Sequence, residues 1–182
     1  MKTSIEGLAE IAGYEGVCTA PYLDSGGVWT FGIGHTRFDG VEPIPEKMEK
    51  GKDYSIQYCF DLFEQVIVKY ENDVNKALKV KVNQAQFDAL VSFHYNTGKI
   101  ASSTLIKRIN ARDSLNNITA AFMMWVKDNG KTVKGLVIRR ENEAKLFKTG
   151  LYTQNGKAVV STADIHGREY GRKSINVLEY LK

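Results

Sequence analysis

The sequence predicts an α+β protein, because apolar residues follow a strand period in one short stretch and a helix period in most of the remainder. The turn-forming run Asp24–Gly27 is followed by alternation, with Trp29, Phe31 and Ile33 on one side of a strand. From Ile56 to Val80, large apolar residues instead recur every three or four positions, which predicts one long helix. We therefore expect a small strand region followed by a helical region.

The first helix is expected over Thr3–Ala12. Thr3 and Glu6 fit a capping box at its start, and Gly13 is a stop signal, which would leave Glu15 just past the helix end. Residues 21–33 then predict a hairpin with Asp24 on its first strand. The polar residues 37–55 predict a loop, in which a further short strand stays open.

The later helices are predicted from their apolar spacing and from the residues at their ends. Asn83 can cap the helix that follows the long one, and Gly98 can end it. Three more helices are expected at Ser103–Ala111, Leu115–Lys127 and Leu136–Lys148.

The length of 182 residues fits one domain, or two small lobes that share a helix. The expected lobes are residues 13–55, and residues 1–12 together with 81–150, joined by a linking helix over about 56–80. Residues 151–182 show little periodicity. They are expected either to be loosely packed or to dock through a few apolar side chains, namely Ile175, Leu178, Tyr180 and Leu181.

Composition and charge narrow the function classes. With 43% hydrophobic and 25% charged residues, the chain is typical of a globular protein, and no apolar run approaches the ~20 residues of a membrane-spanning helix. The N-terminus lacks the apolar core of a secretory signal, so synthesis and folding in a cytoplasm are expected. The net charge of +4 suits an anionic polymer, but the basic residues are spread along the chain and no nucleic-acid motif is visible.

The two cysteines, Cys18 and Cys59, do not form a CxxC pair or a Cys/His cluster, so no metal site is predicted. Reduced thiols are the favoured interpretation, and a disulfide between the two cysteines stays open.

Glu15, Asp24 and Thr30 form the candidate catalytic group. Cleavage of a glycosidic bond needs a carboxylic acid that protonates the leaving oxygen, and a carboxylate with a hydrogen-bonding partner can position the attacking water. The glycines at positions 32 and 34 remove side chains where a polymer could approach the backbone. Asp24 can also simply shape the turn, and both interpretations remain open at this point.

Four motifs in order carry a resemblance to a known family. The first is Glu15, Asp24 and Thr30 at their spacing, followed by Phe-Gly-Ile-Gly-His. The others are residues 84–93, residues 96–98 with 102–105, and residues 135–141 with 146–150. Together, residues 4–150 resemble the phage-type lysozymes, the endolysins of tailed bacteriophages.

The resemblance implies a lysozyme-like fold and a muramidase that cleaves the β-1,4 bond between N-acetylmuramic acid and N-acetylglucosamine. Glu15 would be the general acid, and Asp24 with Thr30 would hold water. A water-holding pair implies inversion, for which the carboxyl groups stand about 6.5–9.5 Å apart, against about 5–5.5 Å in retaining enzymes.

The resemblance also implies supporting roles for other residues and no cofactor or metal. His35 would pair with Asp73 on the linking helix, and Arg139 would hold Glu15. The expected substrate contacts are Gly34, Thr36, Tyr95, Asn96 and Thr104.

The implied partner is bacterial peptidoglycan, and nucleic acid and stable membrane insertion are not expected. The enzyme would be a monomer that collects in the host cytoplasm and reaches the periplasm after a separate holin permeabilises the inner membrane, causing host lysis and phage release. A lytic transglycosylase, a non-catalytic wall-binding protein and a basic protein that acts on membranes or nucleic acid are the alternatives. Retention of Glu15, Asp24 and Thr30 argues against the first two.

Overall fold

The computed structural model describes all 182 residues. Its helices are α1 (Ile5–Glu15), α2 (Ile56–Ala77), α3 (Gln84–Thr97), α4 (Thr104–Asn110), α5 (Leu115–Phe122) and α6 (Lys134–Thr149). Its strands are β1 (Val17–Leu23), β2 (Trp29–Gly32), β3 (His35–Thr36), β4 (Lys127–Asp128), β5 (Lys131–Thr132), β6 (Lys157–Ala163) and β7 (Glu169–Asn176). Single 3-10 turns lie at Arg37–Asp39, Pro45–Lys47, Ile100–Ser102 and Val177–Glu179. The predicted α+β class is confirmed.

The chain forms two compact units. The first unit is Met1–Leu8 with Tyr70–Thr153, and the second unit is Ala9–Lys69 with Gln154–Lys182. The first unit holds α3 to α6, and its buried core is rich in aromatic side chains. The second unit holds one five-stranded sheet with the strand order β3-β2-β1-β6-β7. Helices α1 and α2 each contribute residues to both units.

Helix α1 begins and ends later than the sequence predicts. Ser4 caps it instead of Thr3, because the Ser4 hydroxyl accepts a hydrogen bond from the Gly7 N–H at 3.0 Å. The helix continues through Gly13 to Glu15. A Cβ at Gly13 would lie 2.6 Å from the side chain of Gln154, so this glycine allows close packing and is not a helix stop.

The ends of the other helices follow local chemistry. The expected cap at Asn83 is confirmed, since its side chain accepts from the Gln86 N–H at 2.9 Å, and Gly98 ends α3 with φ 64°. Helix α2 ends at Ala77, three residues before the expected Val80. Helix α5 ends at Phe122, before the expected Lys127, because Asn129 and Gly130 form the positive-φ turn of a two-stranded hairpin.

Of the two alternatives left open for residues 151–182, the structure shows packing against the body and not a loose extension. Strand β6 pairs in parallel with β1, with Val17 opposite Val160, and β7 pairs with β6 as the edge of the sheet. Val160 is buried, and Tyr180 stacks on Phe60 with ring centroids 5.5 Å apart. Of the residues expected to dock, Leu181 is buried. The tail therefore completes the core of the second unit.

Both cysteines are free thiols in the interior of the second unit. Cys18 lies on β1, and the Cys59 thiol faces the Cys18 carbonyl oxygen at 3.9 Å. Burial raises the pKa of Cys18 to about 11 and the pKa of Cys59 to about 12, so both thiols stay protonated at neutral pH.

We predict that Val177→Ala lowers the free energy of unfolding by about 2 kcal/mol, because it removes two methyl groups from a fully buried site in the tail. Leu178→Ala is the matched control, since Leu178 is 46% exposed, and it should change stability by less than about 0.5 kcal/mol. Urea unfolding measures both. Equal and negligible effects would contradict the packing of the tail.

Candidate active site

Strand β1 separates two of the three candidate catalytic residues. Glu15 is the last residue of α1, and Gly16 turns the chain into β1 with φ 73°. A Cβ at position 16 would lie 3.2 Å from the Val159 carbonyl oxygen, so both the backbone angle and the space favour glycine there. Asp24 directly follows Leu23, the last residue of β1. The position of both carboxylates is thus set by the ends of one strand.

Asp24 lies in the turn between β1 and β2, not on the first strand as the sequence suggested. Its Oδ1 accepts hydrogen bonds from the N–H groups of Gly26 and Val28, both at 2.8 Å. These bonds show that Asp24 does shape the turn. They use one oxygen only, and Oδ2 accepts no hydrogen bond from the protein.

Thr30 lies opposite Tyr22 in the β1–β2 pairing, where the sequence placed it across from Asp24. The difference arises because β1 ends before Asp24, which leaves residues 24–28 to the turn. The buried Thr30 hydroxyl donates to the Val28 carbonyl oxygen at 3.1 Å. The same carbonyl accepts from the Asp24 N–H at 3.0 Å. Val28 is therefore the common anchor of Asp24 and Thr30.

Tyr22 is a site residue that the sequence interpretation missed. Burial raises the pKa of its phenol above the usual range, and the carboxylates of Glu15 and Asp24 both raise it further. Glu169, from β7, acts in the same direction. Both candidate catalytic carboxylates therefore act on one phenol, which stays protonated. Its place two residues before Asp24 on a predicted strand was the available signal.

Gly34 and His35 lie at the turn into β3. Gly34 has φ 74°, which permits the tight connection from β2. His35 is buried, and its Nδ1 lies 3.0 Å from Asp39 Oδ2 while its Nε2 lies 3.2 Å from the Pro43 carbonyl oxygen. Both ring nitrogens are thus bonded, which supports a structural role and not that of a base. Thr36 caps the next turn by accepting from the Phe38 N–H.

The expected pairing of His35 with Asp73 is wrong. Asp39 is the acid partner of His35, four residues along the chain and in the same unit. Asp73 instead lies 3.3 Å from Nε2 of His94, in the first unit. A local turn brings Asp39 to His35, and the shape of that turn could not be predicted from the spacing in the sequence.

The other expected site residues lie in the first unit. Tyr95 and Asn96 are at the end of α3, and Thr104 opens α4. The Tyr95 ring packs on Tyr70 with centroids 4.7 Å apart, and Asn96 is exposed. Their role as substrate contacts stays a prediction.

Arg139 is buried on α6 and is held from two sides. Its Nε donates to Glu143 at 3.1 Å, and its Nη2 donates to the Ser92 carbonyl oxygen at 3.2 Å. Glu143 in turn forms an ion pair with Arg140, with Nε and Oε2 2.7 Å apart. Burial raises the pKa of the Glu143 carboxyl, and the two arginines oppose that shift. The expected role of Arg139 in holding Glu15 stays a prediction.

Most of the chain is similar to a known protein family. The phage lysozyme family model matches residues 12–143, a range that holds Glu15, Asp24 and Thr30. The chain belongs to the phage lysozyme family. The matched range ends before β6 and β7, so the strands that complete the sheet lie outside it.

Individual relatives agree with this assignment. The endolysin of Bacillus phage B103 is 38% identical over 158 residues, which cover 82% of this chain and 55% of that protein. The chain thus spans about half the length of that relative. The solved endolysin of Escherichia coli O157:H7 phage FAHEc1 is similar with a TM-score of 0.74 and 33% identity, covering 84% of this chain and 97% of that one. The muramidase domain of SpmX from Asticaccaulis excentricus is similar with a TM-score of 0.69 and 25% identity, covering 81% and 98%. The lysozyme-like fold is therefore confirmed.

No group of three or more His, Cys, Asp or Glu side chains could hold a metal ion. No helix has the length and apolar character needed to span a membrane.

We predict that Asp39→Asn lowers the free energy of unfolding by about 2 kcal/mol or more, because it disturbs a buried acceptor of His35 and of the Thr36 N–H. Asp73→Asn should cost less than about 1 kcal/mol, since the Asp73 side chain is 40% exposed and its pair is weakened by solvent. Chemical denaturation of both variants at neutral pH decides this. A larger loss for Asp73→Asn would reverse the assignment of partners.

Proposed function

We propose that this chain is an endolysin that hydrolyses the β-1,4 bond between N-acetylmuramic acid and N-acetylglucosamine in bacterial peptidoglycan. Membership in the phage lysozyme family supports the reaction class. The observation that carries the proposal is the anchoring of Asp24 and Thr30 by one residue, Val28, at the end of the strand that Glu15 precedes.

Glu15 is the proposed general acid. Its place at the end of α1 leaves it half-buried on the wall of a cavity, where a sugar oxygen can approach its carboxyl group. Protonation of the leaving oxygen breaks the C–O bond with less charge on the leaving sugar, and positive charge develops at the anomeric carbon. The ionised Asp24 carboxylate would stabilise that charge.

Asp24 and Thr30 are the proposed water-holding pair. The Asp24 Oδ2 is open to accept a hydrogen bond from water, because Oδ1 alone is used by the turn. The Thr30 hydroxyl already donates its hydrogen bond to the Val28 carbonyl oxygen, so its oxygen can accept a hydrogen bond from the second water proton. Two acceptors aim the water lone pair away from the protein, toward the sugar. The carboxylate can then take the proton that the water loses.

Attack by this water on the face opposite the leaving group would invert the anomeric carbon. Inversion needs room for water between acid and base, about 6.5–9.5 Å between carboxyl groups. The irregular register of β1 supports a shorter distance between the two carboxyl groups. Between the same two paired positions, β1 runs from Cys18 to Tyr22 while β2 runs only from Gly32 to Thr30, so β1 holds extra residues. The extra residues bend the strand, so that its two ends need not stand a full strand length apart.

A lytic transglycosylase is the same-class alternative, and a non-catalytic wall-binding protein is the other. A lytic transglycosylase closes an internal ether within the product sugar, so it needs no held water. A wall-binding protein cleaves nothing, so it needs no proton donor. The geometry of Asp24, Thr30 and Val28 supports hydrolysis over both. Gly34, Thr36, Tyr95, Asn96 and Thr104 are proposed as substrate contacts on the family resemblance alone.

We predict that Glu15→Gln reduces turnover of purified peptidoglycan by about 10²–10⁴-fold or more, because the amide cannot protonate the leaving oxygen. Glu6→Gln is the matched control, since Glu6 lies exposed on the same helix and its loss changes the net charge equally. Release of reducing ends and circular dichroism are the measurements. Near-normal turnover in a folded Glu15→Gln protein would remove Glu15 as the acid.

A second prediction concerns the products. Digestion in H₂¹⁸O should place the heavy oxygen on every new reducing end, and the first-formed anomer by NMR should be α from a β-linked substrate. Unlabelled anhydro ends by mass spectrometry would establish a transglycosylase instead. A labelled product that is first formed as the β-anomer would keep hydrolysis but make Asp24 a nucleophile.

We further propose that the protein acts as a monomer in the periplasm after a separate holin has opened the inner membrane of the host. Its similarity to phage endolysins supports a role in phage lysis, and the route through a separate holin is what the following experiment tests. Expression in Gram-negative cells should leave the culture turbid until chloroform is added, and then the culture should clear. Clearing on expression alone would contradict dependence on a separate membrane-opening step.

A further inference from the structure

The turn between β6 and β7, residues 164–168, has the same hydrogen bonds as the turn that carries Asp24. In this tail turn, Asp164 Oδ1 accepts from the N–H groups two and four residues later, at 2.8 and 3.0 Å. The Asp164 N–H donates to the carbonyl oxygen four residues later at 3.1 Å, and the Asp164 carbonyl oxygen accepts from the Gly167 N–H at 2.9 Å. Asp24 forms the same four bonds in its own turn. Asp164 Oδ2 also accepts from Arg168 Nε at 2.9 Å, so the tail turn is closely tied together by its own bonds.

Gly167 of the tail turn contacts both residues that flank the Asp24 turn. Leu23 and Trp29 form the pair between β1 and β2 next to that turn. The Gly167 carbonyl oxygen accepts from the Leu23 N–H at 3.0 Å. A Cβ at position 167 would lie 2.8 Å from the Trp29 indole ring and 2.9 Å from the Leu23 nitrogen, and Gly167 has φ 76°. Any other residue at this position must therefore displace one of the two flanking residues.

The Trp29 indole is also held by Lys50, from the loop between β3 and α2. The Lys50 ammonium lies 4.4 Å from the centre of the indole ring, in a cation–π contact. The same ammonium donates to three carbonyl oxygens at 2.6, 3.0 and 2.8 Å, those of Pro45, Glu46 and Met48. These bonds use all three donors of the ammonium, so its position over the ring is fixed. The next residue, Gly51, packs on the tail turn, because a Cβ there would lie 2.7 Å from the Ile165 side chain.

We propose that Trp29 is a positioning residue for the water-holding pair, and that Gly167 and Lys50 hold it in place. The proposal rests on the proposed function, because it concerns the two groups that are proposed to hold water. Trp29 lies between Val28 and Thr30 in the chain, and the Val28 carbonyl oxygen accepts from the Thr30 hydroxyl. A displaced indole would therefore shift both ends of that hydrogen bond. A shift of about 1 Å in a reacting group can reduce turnover about 100-fold.

This contact gives the tail a part in the reaction that is separate from completing the core. Gly167 lies outside residues 12–143, the range that matches the family, whereas Trp29 and Lys50 lie within it. The tail thus contacts the site framework at the turn that carries Asp24, and it does so through one glycine and without any side chain of its own.

The variant Gly167→Ala tests this contact by kinetics on soluble peptidoglycan fragments. It should lower kcat about tenfold or more and leave KM unchanged, because water is held less well while the glycan still binds. Gly171→Ala is the matched control on the same hairpin, since Gly171 has φ 71° and its added Cβ would meet nothing within 4 Å. Both variants carry an alanine at positive φ, so a decrease in melting temperature that they share reports backbone strain alone. The control should keep the wild-type kcat.

Fluorescence follows Trp29 without any turnover. The chain has two tryptophans, so the background variant Trp125→Phe leaves Trp29 as the single reporter. In this background, Gly167→Ala should shift the emission maximum and Gly171→Ala should not. Lys50→Met is the second variant, because it removes the cation over the indole without straining the backbone. It should also lower kcat at unchanged KM, and it tests the proposal even where Gly167→Ala does not fold.

Three results would overturn the proposal. They are equal kcat values for Gly167→Ala and Gly171→Ala, a wild-type kcat in folded Lys50→Met, and a loss that appears only as a rise in KM. Failure of the proposed function gives a different result, since the wild type would then release no reducing ends or Glu15→Gln would keep its turnover. The emission of Trp29 would still show whether Gly167 holds the indole.

Discussion

The candidate site depends on one constraint, the attachment of strand β1 along both of its edges. β2 pairs with it on one side and β6 on the other, so neither end of β1 can shift without breaking main-chain hydrogen bonds. Glu15 precedes this strand and Asp24 follows it. If Glu15 and Asp24 act as the proposed general acid and water-holding carboxylate, they must keep a fixed separation, and a strand held on two sides provides it.

The turn after β1 shows how one set of bonds serves both folding and the proposed chemistry. Asp24 organises the turn through one carboxylate oxygen and leaves the other available. The Val28 carbonyl oxygen accepts hydrogen bonds from both the Thr30 hydroxyl and the Asp24 N–H. The two interpretations of Asp24, turn former and catalytic group, are therefore compatible.

Much of the fold could be predicted from the sequence, because periodicity and helix caps are local signals. Asn83 and Gly98 mark α3 correctly for that reason. Interactions between distant segments could not be predicted in this way. Gly13 looked like a helix stop because its packing partner, Gln154, is far along the chain. The two strands of the tail were missed because β7 is exposed along most of its length and therefore shows no apolar alternation. The neighbour of β6 is β1, which lies far away in the sequence. In the candidate site, the residue types could be predicted from the sequence. The acid partner of His35 could not, because it depends on the shape of a turn.

The parallel pairing of β1 with β6 joins position 17 to position 160, and the whole first unit except its first eight residues lies between them in the chain. Closing so long a loop carries a large entropy cost before any contact rewards it. During synthesis from the N-terminus, the edge of β1 stays without its neighbour until β6, at residues 157–163, has left the ribosome. Glu15 and Asp24 are made early, but the strand that covers the second edge of β1 is made much later. A nascent or truncated chain without β6 would therefore lack the finished framework, so the timing of the proposed activity would be tied to the synthesis of that strand.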